Sequence, residues 1–528
     1  MFDFQVGPKF PRWLKTQNLL LDLVLNNVSI SDTIPQWLWK LFSLNIGGLD
    51  LSNNRLRGSV PGVVNSLRVE RWAELDLSSN CLEGPLPLWH ANLSYLNLQH
   101  NLFSGSIPSN IGQTMPLLVE LHLSWNRLNG SIPSSIAKMN KLETLALSNN
   151  LLSGELNFDF KGLQSAVIID LSHNNLSGEI PSSIGFLHAL ERLILNNNGL
   201  HGELLPFLKN CRFLQSLDLG KNNFTGLLPT WIGESLPHLM MLRLRANSFI
   251  GKIPQQLCHL RYLHILDLAQ NNFSGFIPTC LGNLSGLTDS ELRWDEMYYD
   301  EHMMIVAKGR ELEYHRYILD EVNALDLSSN SLSGNIPVGI TLLTKLILFN
   351  LSMNHLTGKI PRNIGDMKSL ESLDLSKNQL SGEIPPSISS LNFLSYLNLS
   401  NNNLSGRIPS GNQLQTLNES SNYLGNPLLC GPPLSDKCPG DETPQIVEIS
   451  HGNGTEEDDQ STMDMLWFYC GMAFGFVVGF WGVCGTLLLK KSLRYAYFSF
   501  LENVVDRIFV IVALNRARLY KLLMRGGQ

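Results

Sequence analysis

The chain has 528 residues, of which 16% are charged, and a formal net charge of −7 at pH 7. This mild negative balance argues against a nucleic-acid-binding protein, which needs a concentrated positive surface. A chain of this length would usually form three or more globular domains, but an array of repeats is an exception to that count.

The first residues of the chain do not resemble a secretion signal. Met1–Phe4 contain neither a basic stretch nor the apolar run that follows it in signal peptides. Gly7–Pro11 looks instead like the end of a repeat that is already under way. We therefore expect the chain to start inside a repeat array, either as a fragment or as a natural truncated copy that lacks the secretion signal and the N-terminal cap.

One repeated pattern occupies most of residues 1–278 and 321–409. Leu370–Pro385 reads L-x-x-L-x-L-x-x-N-x-L-x-G-x-I-P, and variants of it recur mostly at intervals of 24 or 25 residues, which is typical of leucine-rich repeats. Fifteen repeats are recognisable, the first with Val28 in place of the asparagine. The other fourteen carry Asn54, Asn80, Asn101, Asn126, Asn150, Asn174, Asn198, Asn222, Asn247, Asn271, Asn330, Asn354, Asn378 and Asn402. We predict an α/β-class leucine-rich-repeat solenoid, a curved right-handed superhelix with short parallel strands on its concave face, plus one transmembrane helix.

The residues of one unit explain why the pattern repeats. In a short strand, Leu373 and Leu375 point inward while Asp374 points outward. Asn378 turns inward where the chain leaves the strand, and its amide can satisfy backbone groups of neighbouring coils. A single coil is too small to bury its apolar face, so stacking of many copies completes the core.

An insertion interrupts the array at residues 279–320. The step from Asn271 to Asn330 is 59 residues, and the extra segment, roughly Leu287–Asp320, is polar and rich in tyrosine. Long insertions in compact folds are usually functional or disordered. We call residues 279–320 the island, and four clean repeats follow it.

The outward-facing columns of the strands are the expected ligand surface. Aromatic and arginine side chains are the commonest sources of binding energy on such a surface. His122 and Trp125 form an unusual patch there, although a scattered exposed residue often has no function. The ligand-binding candidates are His122, Trp125, Lys221 and Arg245.

Two arginines on this surface have different predicted surroundings. Arg243 lies between Asp218 and Asp267 in successive coils, which predicts a neutralised ladder of alternating charge. Arg245 has only glycine and alanine as column neighbours, so we expect it to be freer for ligand binding.

Two disulfides are predicted. Cys258 and Cys280 occupy similar places in consecutive repeats and could bridge stacked coils. Cys430 and Cys438 lie in residues 410–440, which we expect to cap the last coil, and a bond between them is the natural clamp outside a cell.

Asn-x-Ser/Thr sequons indicate an extracellular glycoprotein. Twelve occur, all before the apolar run described below: Asn27, Asn92, Asn129, Asn175, Asn223, Asn272, Asn283, Asn350, Asn398, Asn403, Asn418 and Asn453. Four of them arise from the repeat consensus itself, so the total of twelve overstates the indication of glycosylation.

The C-terminal part predicts a membrane anchor. Residues 441–464 carry eight acidic and no basic residues, which indicates a disordered juxtamembrane spacer. Met465–Leu489 then provides 25 uncharged residues, enough to cross a bilayer, although a buried core helix is the alternative. Residues 490–528 carry eight basic and two acidic residues, so this tail is expected in the cytoplasm and the repeats outside. We predict a single-pass plasma-membrane protein.

Three glycines give the predicted membrane helix a smooth face. Gly471, Gly475 and Gly479 lie four residues apart, on one side of a helix, and allow a second helix to approach closely. The alternative is that glycine is simply common in membrane helices.

The sequence contains no convincing catalytic motif. Asp50 and Asp76 fall in one outward column, where their carboxylates would lie about 5 Å apart, as in a retaining glycosidase. A similar apolar-Asp-Leu pattern recurs in five other repeats, so we interpret it as structural. Zinc-type His/Cys spacings, phosphate loops and nucleophile elbows are absent from the sequence. We predict no enzymatic activity, no cofactor and no metal site.

The order of these segments resembles that of plant receptor-like proteins. Repeats, island, four repeats, cysteine-bearing cap, acidic spacer, membrane helix and short basic tail follow one another along essentially the whole chain. The stretches most similar to the receptors for fungal ethylene-inducing xylanase are Gly7–Leu14, Ile30–Lys40, Trp467–Thr486 and Arg494–Leu501. The island also carries that family's Tyr-x8-Lys-Gly element as Tyr299, Lys308 and Gly309.

The resemblance implies a cell-surface sensor of microbial or endogenous ligands. In that family the island and the next four repeats are thought to engage a co-receptor kinase, which makes Tyr299, Lys308 and Gly309 the co-receptor candidates here. A Gly-x-x-x-Gly membrane helix is associated with an adaptor receptor-like kinase. The chain departs from the family pattern at its front, where the signal, the cap and the early repeats are missing.

We interpret the chain as a plant cell-surface receptor-like protein without enzymatic activity that recognises a protein or peptide ligand and acts in defence. Only 39 residues follow Leu489, too few for a kinase domain, so partner kinases must carry the signal. Two alternatives remain open: a leucine-rich-repeat binding module that inhibits a secreted enzyme, and a non-signalling truncated decoy.

Overall fold

The computed structural model describes residues 7–17, 19–44, 47–61, 73–89, 93–288, 302–319 and 321–439. The predicted features outside the described residues are the acidic spacer, the membrane helix with Gly471, Gly475 and Gly479, the basic tail, Tyr299, Asn92 and Asn453. Within the described ranges, no helix is both long enough and apolar enough to cross a membrane.

Fifteen short parallel strands form one sheet, one strand from each predicted repeat, and we call it the main sheet. The strands are Asp22–Val24, Gly48–Asp50, Ala73–Asp76, Leu93–Asn97, Glu120–His122, Thr144–Ala146, Ile168–Asp170, Arg192–Ile194, Ser216–Asp218, Met241–Arg243, Ile265–Asp267, Ala324–Asp326, Leu348–Asn350, Ser372–Asp374 and Tyr396–Asn398. Ile265–Asp267 pairs in parallel with Ala324–Asp326, so the main sheet continues across the island without a break. The leucine-rich-repeat solenoid with parallel strands is thereby confirmed.

Two further parallel sheets follow the asparagine column. The twelve strands of the first are Arg57–Ser59, Cys81–Gly84, Leu102–Ser106, Arg127–Gly130, Leu151–Glu155, Asn175–Gly178, Gly199–Gly202, Asn223–Leu227, Ser248–Gly251, Asn272–Phe276, Ser331–Asn335 and His355–Thr357. The three strands of the second are Ser381–Glu383, Asn403–Arg407 and Leu428–Cys430.

Short helices connect the strands, and most of them complete the coils opposite the main sheet, whereas Arg316–Leu319 packs with the island residues and Ser420–Asn422 lies beside the last strand of the main sheet. The α-helices are Gln36–Leu44, Ile111–Thr114, Trp231–Ser235, Arg316–Leu319 and Asn412–Thr416. The 3-10 helices are Arg12–Thr16, Ser134–Lys138, Phe160–Gly162, Ser182–Phe186, Pro206–Asn210, Gln255–His259, Thr279–Asn283, Ser285–Leu287, Val338–Leu342, Ile364–Asp366, Pro386–Ser390 and Ser420–Asn422. A 3-10 turn suits this position because its tight i to i+3 geometry reverses the chain within a few residues.

The predicted directions of the strand residues are confirmed. Leu373 and Leu375 are fully buried, whereas Asp374 is only half-buried on the outward side. The Oδ1 atom of Asp374 accepts hydrogen bonds from the backbone N–H of Ser376 at 3.0 Å and from its hydroxyl at 2.7 Å. Where a strand ends in an outward aspartate, as at Asp50, Asp170 and Asp374, that side chain therefore holds the turn that follows the strand. We call the outward side of the main sheet the strand face.

The asparagine column binds the coils to one another, as the sequence predicts. Asn378 donates from Nδ2 to the carbonyl of Leu351 in the preceding coil at 3.0 Å and to that of Leu375 in its own coil at 3.2 Å. Its Oδ1 accepts from the backbone N–H of Leu356 at 3.0 Å. These backbone groups are buried away from water and still need hydrogen-bond partners. The asparagine side chain supplies those partners.

Replacing Asn378 with alanine is expected to lower the free energy of unfolding by about 2 kcal/mol, since it leaves buried backbone donors and acceptors without partners. Thermal unfolding of the variant measures the loss. Gln379→Ala is the matched control, because Gln379 is exposed in the same coil. Equal melting temperatures for the two variants would contradict the proposed role of the column.

The two predicted cysteine pairs form disulfides in the structure. Cys258 and Cys280 join stacked coils with a Cα–Cα distance of 5.8 Å. Cys430 and Cys438 join the cap with a Cα–Cα distance of 5.0 Å. The first bond fixes two coils beside the island, and the second closes the end of the array.

Candidate functional site

The island contains a β-hairpin that the sequence analysis did not predict. Its antiparallel strands are His302–Ala307 and Arg310–His315, and we call them the island hairpin. Lys308 and Gly309 form the two-residue turn with φ of 54° and 73°, the positive values that a type I′ turn requires. The sequence signal for this hairpin was the Lys308-Gly309 pair, which directly follows the apolar run of residues 303–307.

The apolar side of the island hairpin packs on the strand face. Met303, Ile305 and Ala307 are buried in one cluster with residues of the main sheet. Their partners in the cluster include Met241, Ile265, Ala324 and Leu348. The hairpin therefore packs on the strands from Met241–Arg243 to Leu348–Asn350, the tenth to the thirteenth of the fifteen.

The turn of the hairpin is held by the later repeats. Lys308 donates from its backbone N–H to Ser372 Oγ at 3.3 Å, and its Nζ lies 3.1 Å from Glu371 Oε2. A Cβ on Gly309 would lie 2.9 Å from the Tyr396 hydroxyl oxygen, so only glycine fits between the turn and this ring. Both described residues of the Tyr-x8-Lys-Gly element thus contact the last four repeats.

The other strand of the hairpin is held by an ion pair to an earlier repeat. Glu311 lies 2.8 Å from Lys221 Nζ and 4.0 Å from Arg243 Nη2. Burial opposes ionisation of Glu311, but the hydrogen bond and charge of Lys221, with Arg243, hold its pKa below the usual value. Lys221, a predicted ligand-binding residue, is therefore engaged by the island hairpin.

Arg243 forms the predicted ladder of alternating charge. Its Nη1 donates to both carboxylate oxygens of Asp218 at 3.2 and 3.1 Å, and its Nε lies 3.5 Å from Asp267. The side chain is 1% exposed. Burial alone would lower the pKa of Arg243, but the two carboxylates raise it, so the guanidinium remains charged.

The prediction that Arg245 is freer for ligand binding is wrong. Arg245 is 7% exposed, and its Nη1 lies 3.0 Å from Asp326 Oδ2 and 3.7 Å from Asp267 Oδ1. The residues at the same position in the adjacent coils are glycine and alanine, but the long side chain of Arg245 reaches across two strands to Asp326. Burial, and then the charge of Asp267, raises the pKa of Asp326 to about 6.

A cavity of about 560 Å³ lies on the earlier side of the island hairpin, and we call it the aromatic cavity. The predicted pair His122 and Trp125 lines it, together with Tyr95, His100, Glu120, Asp170 and, from the hairpin, Met304 and Glu313. The Trp125 ring stacks on His100 with centroids 5.3 Å apart and planes at 14°. The Nε2 atom of His122 lies 2.8 Å from Glu120 Oε2. The fold therefore joins a predicted surface patch to an island that is distant in sequence.

A second cavity, of about 300 Å³, lies on the later side of the hairpin, and we call it the charged cavity. Its lining includes Arg243, Arg245, Lys308, Lys377, Asp267, Asp326, Asp374 and Tyr396. The island hairpin thus divides the strand face into an aromatic and a charged compartment.

The described residues include the aspartate pair that resembles the carboxylates of a retaining glycosidase. Among them, no group of His, Cys, Asp and Glu side chains could hold a metal ion. Asp50 and Asp76 are paired in register, but each accepts from the backbone N–H of the serine two residues later, as Asp374 does. The role of these two carboxylates is therefore to hold the turns that follow their strands.

The consensus sequons lie on the outside of the coils. Asn175, Asn223, Asn272 and Asn403 are exposed, in strands of the two sheets that follow the asparagine column. These positions leave the strand face and both cavities clear of the four asparagines.

Family models match the repeats. A leucine rich repeat model matches residues 212–273. A second leucine rich repeat model matches residues 92–114, 117–139, 165–187, 369–391 and 393–415.

Curated plant relatives extend the similarity to nearly the whole chain. The chain is 46% identical over 97% of its length to Receptor-like protein EIX2 of Solanum lycopersicum, of which it covers 48%. It is also 40% identical to Receptor-like protein EIX1 of the same species, over 22% of this chain and 11% of that protein. The chain therefore spans about half the length of the first of these relatives.

Solved structures of plant receptors share the fold. The Arabidopsis receptor kinase HAESA, in complex with the peptide hormone IDA and the co-receptor SERK1, is 30% identical with a TM-score of 0.60, over 80% of this chain and 68% of that one. The plant peptide hormone receptor RGFR1, in complex with RGF2, is 28% identical with a TM-score of 0.62, over 77% of this chain and 63% of that one.

Proposed function

Because the chain belongs to the leucine-rich-repeat receptor-like proteins of plants, we propose that it is a cell-surface receptor without enzymatic activity. It binds an extracellular protein or peptide of microbial or wall origin and signals in defence through partner receptor kinases. The observation that carries this proposal is the 46% identity to a receptor-like protein over 97% of the chain.

The ligand binds on the strand face beside the island hairpin. Support comes from the aromatic cavity, whose volume of about 560 Å³ suits a short peptide segment or a loop of a protein. Two receptors of the same fold bind peptide hormones, as their complexes with IDA and RGF2 state.

Two kinase contacts complete the proposal. The turn of the island hairpin, at Lys308 and Gly309, and the last four repeats form the surface for a co-receptor kinase, and Tyr299 belongs to the same element. The fold relative HAESA forms a complex with a co-receptor, SERK1. An adaptor receptor-like kinase pairs with the glycine face of a membrane helix at residues 465–489, which anchors the protein in the plasma membrane with its repeats outside.

Co-precipitation from plant leaf tissue tests the proposal. The full chain is expected to capture membrane receptor kinases, and Gly475→Leu is expected to reduce capture about tenfold, because it separates the paired helix backbones. Ala473→Leu is the matched control, since position 473 faces away from the glycine face.

Two results would count against the signalling role. Failure of the wild-type chain to capture any kinase would overturn it and leave a decoy or an enzyme-inhibiting module. Equal losses for Gly475→Leu and Ala473→Leu would overturn the glycine face as the kinase contact. Binding of the fungal ethylene-inducing xylanase to the purified chain tests the ligand side separately.

A further inference from the structure

The two compartments beside the island hairpin carry different charges. The charged cavity is lined by Arg243, Arg245, Lys308 and Lys377 as well as by aspartates. Among the residues that the structure describes, the lining of the aromatic cavity contains three carboxylates (Glu120, Asp170 and Glu313), three histidines (His100, His122 and His173) and no lysine or arginine. The two cavities therefore differ in the charged residues that line their described parts.

The three carboxylates of the aromatic cavity come from separate elements. Glu120 and Asp170 lie on strands of the main sheet separated by Thr144–Ala146, so they are about 10 Å apart across the sheet and two residues apart in register. Glu313 comes from the island hairpin. A ligand segment in the cavity would have a carboxylate on both the sheet side and the hairpin side.

Aromatic rings of the same cavity add a surface that suits a cation. Trp125 is 43% exposed although it stacks on His100, and Tyr95 packs against His122 with ring centroids 5.6 Å apart. Cations bind over the faces of such rings, most strongly over tryptophan. Burial, and then the charge of Asp76, raises the pKa of Tyr95, which keeps its phenol neutral.

We propose that the aromatic cavity is the subsite for a lysine- or arginine-bearing segment of the ligand, which rests on the proposed receptor function. The aliphatic stem of the ligand cation lies along Trp125, and its charged end reaches Glu313 and Glu120. Met304 of the hairpin contributes an adaptable apolar wall. An acidic ligand segment is rejected by the same carboxylates.

Two short fluorescein-labelled peptides test this assignment by fluorescence anisotropy. They are acetylated, amidated and identical, except that one carries two lysines where the other carries two glutamates. The purified chain is expected to bind the lysine peptide at least about tenfold more tightly than the glutamate peptide, and this preference weakens with salt.

Variants locate the binding. Glu313→Lys and Trp125→Leu are each expected to weaken lysine-peptide binding about tenfold. Glu383→Lys makes the same charge change at an exposed glutamate in Ser381–Glu383, away from the cavity, and should leave binding unchanged. Hydrogen exchange of the hairpin amides shows whether each variant retains the hairpin.

The outcomes separate this inference from the receptor proposal. Equal affinity for the two peptides, or equal losses for Glu313→Lys and Glu383→Lys, would overturn the cationic subsite. Kinase capture in leaf tissue does not depend on this charge preference. Kinase capture without lysine preference would therefore leave the receptor standing and remove the subsite alone.

Discussion

Replacing Arg243 with methionine is expected to lower the free energy of unfolding by about 3–5 kcal/mol at neutral pH. The guanidinium is 1% exposed and hydrogen-bonds both oxygens of Asp218, with Asp267 at 3.5 Å. Methionine preserves much of the volume but leaves two buried carboxylates without their cation. An uncompensated buried charge costs far more than the net value of the pair that it belonged to.

The pH dependence of this loss identifies its cause. Burial already raises the pKa of Asp218 in the wild-type fold, while Arg243 opposes that rise. In the variant the folded-state pKa rises further above the unfolded value, so folding takes up a proton and is favoured at lower pH. The destabilisation should therefore shrink between about pH 7 and about pH 5.

Calorimetric unfolding of the full chain at several pH values measures both effects. Arg212→Met is the matched control, because Arg212 is an exposed arginine one repeat earlier. A loss for Arg243→Met that equals the control, or that stays constant with pH, would contradict the buried ladder.

Reversing the charge of Glu311 is expected to release the island hairpin from the strand face. In Glu311→Lys the new ammonium would face Lys221 and Arg243, which lie 2.8 and 4.0 Å from the native carboxylate. Like charges in contact cost several kcal/mol, but Glu311 and Lys221 are both 34% exposed, and solvent screening reduces the effect to about 2 kcal/mol. This corresponds to about a thirtyfold increase in the opening of the hairpin.

Hydrogen exchange followed by mass spectrometry of residues 302–315 measures this opening. Glu311→Gln should show a smaller effect, because it removes an attraction without adding a repulsion. A second substitution, Lys221→Glu, should restore part of the protection by recreating one opposite-charge pair. Unchanged exchange in Glu311→Lys would show that the apolar cluster of Met303, Ile305 and Ala307 holds the hairpin by itself.

Release of the hairpin would alter both compartments at once. Met304 and Glu313 belong to the aromatic cavity, and Met303 and Lys308 belong to the charged cavity. A ligand that depends on either wall should therefore lose affinity in Glu311→Lys. The hairpin links the predicted ligand surface to the repeats proposed for the co-receptor.

The sequence by itself determined the repeated part of this protein. The spacing of Asn354 and Asn378 places each amide against backbone groups of the adjacent coil, and the leucines between them must be buried. These contacts recur once per period, so the pattern in one coil specifies the contact with the next. The fold, the fifteen strands and the bridge between Cys258 and Cys280 in consecutive coils all follow from this short-range rule.

Only the tertiary structure decided the functional surface. The hairpin has no repeat period, and its ion pair joins Lys221 to Glu311 across 90 residues of sequence. Arg245 likewise finds Asp326 across 81 residues, where column adjacency predicted no partner. Such contacts depend on where the inserted hairpin packs and on how far a long side chain reaches. The repeat pattern of the sequence specifies neither of these. That is why His122 and Trp125 could be singled out from the sequence, while the cavity that unites them with Met304 and Glu313 could not.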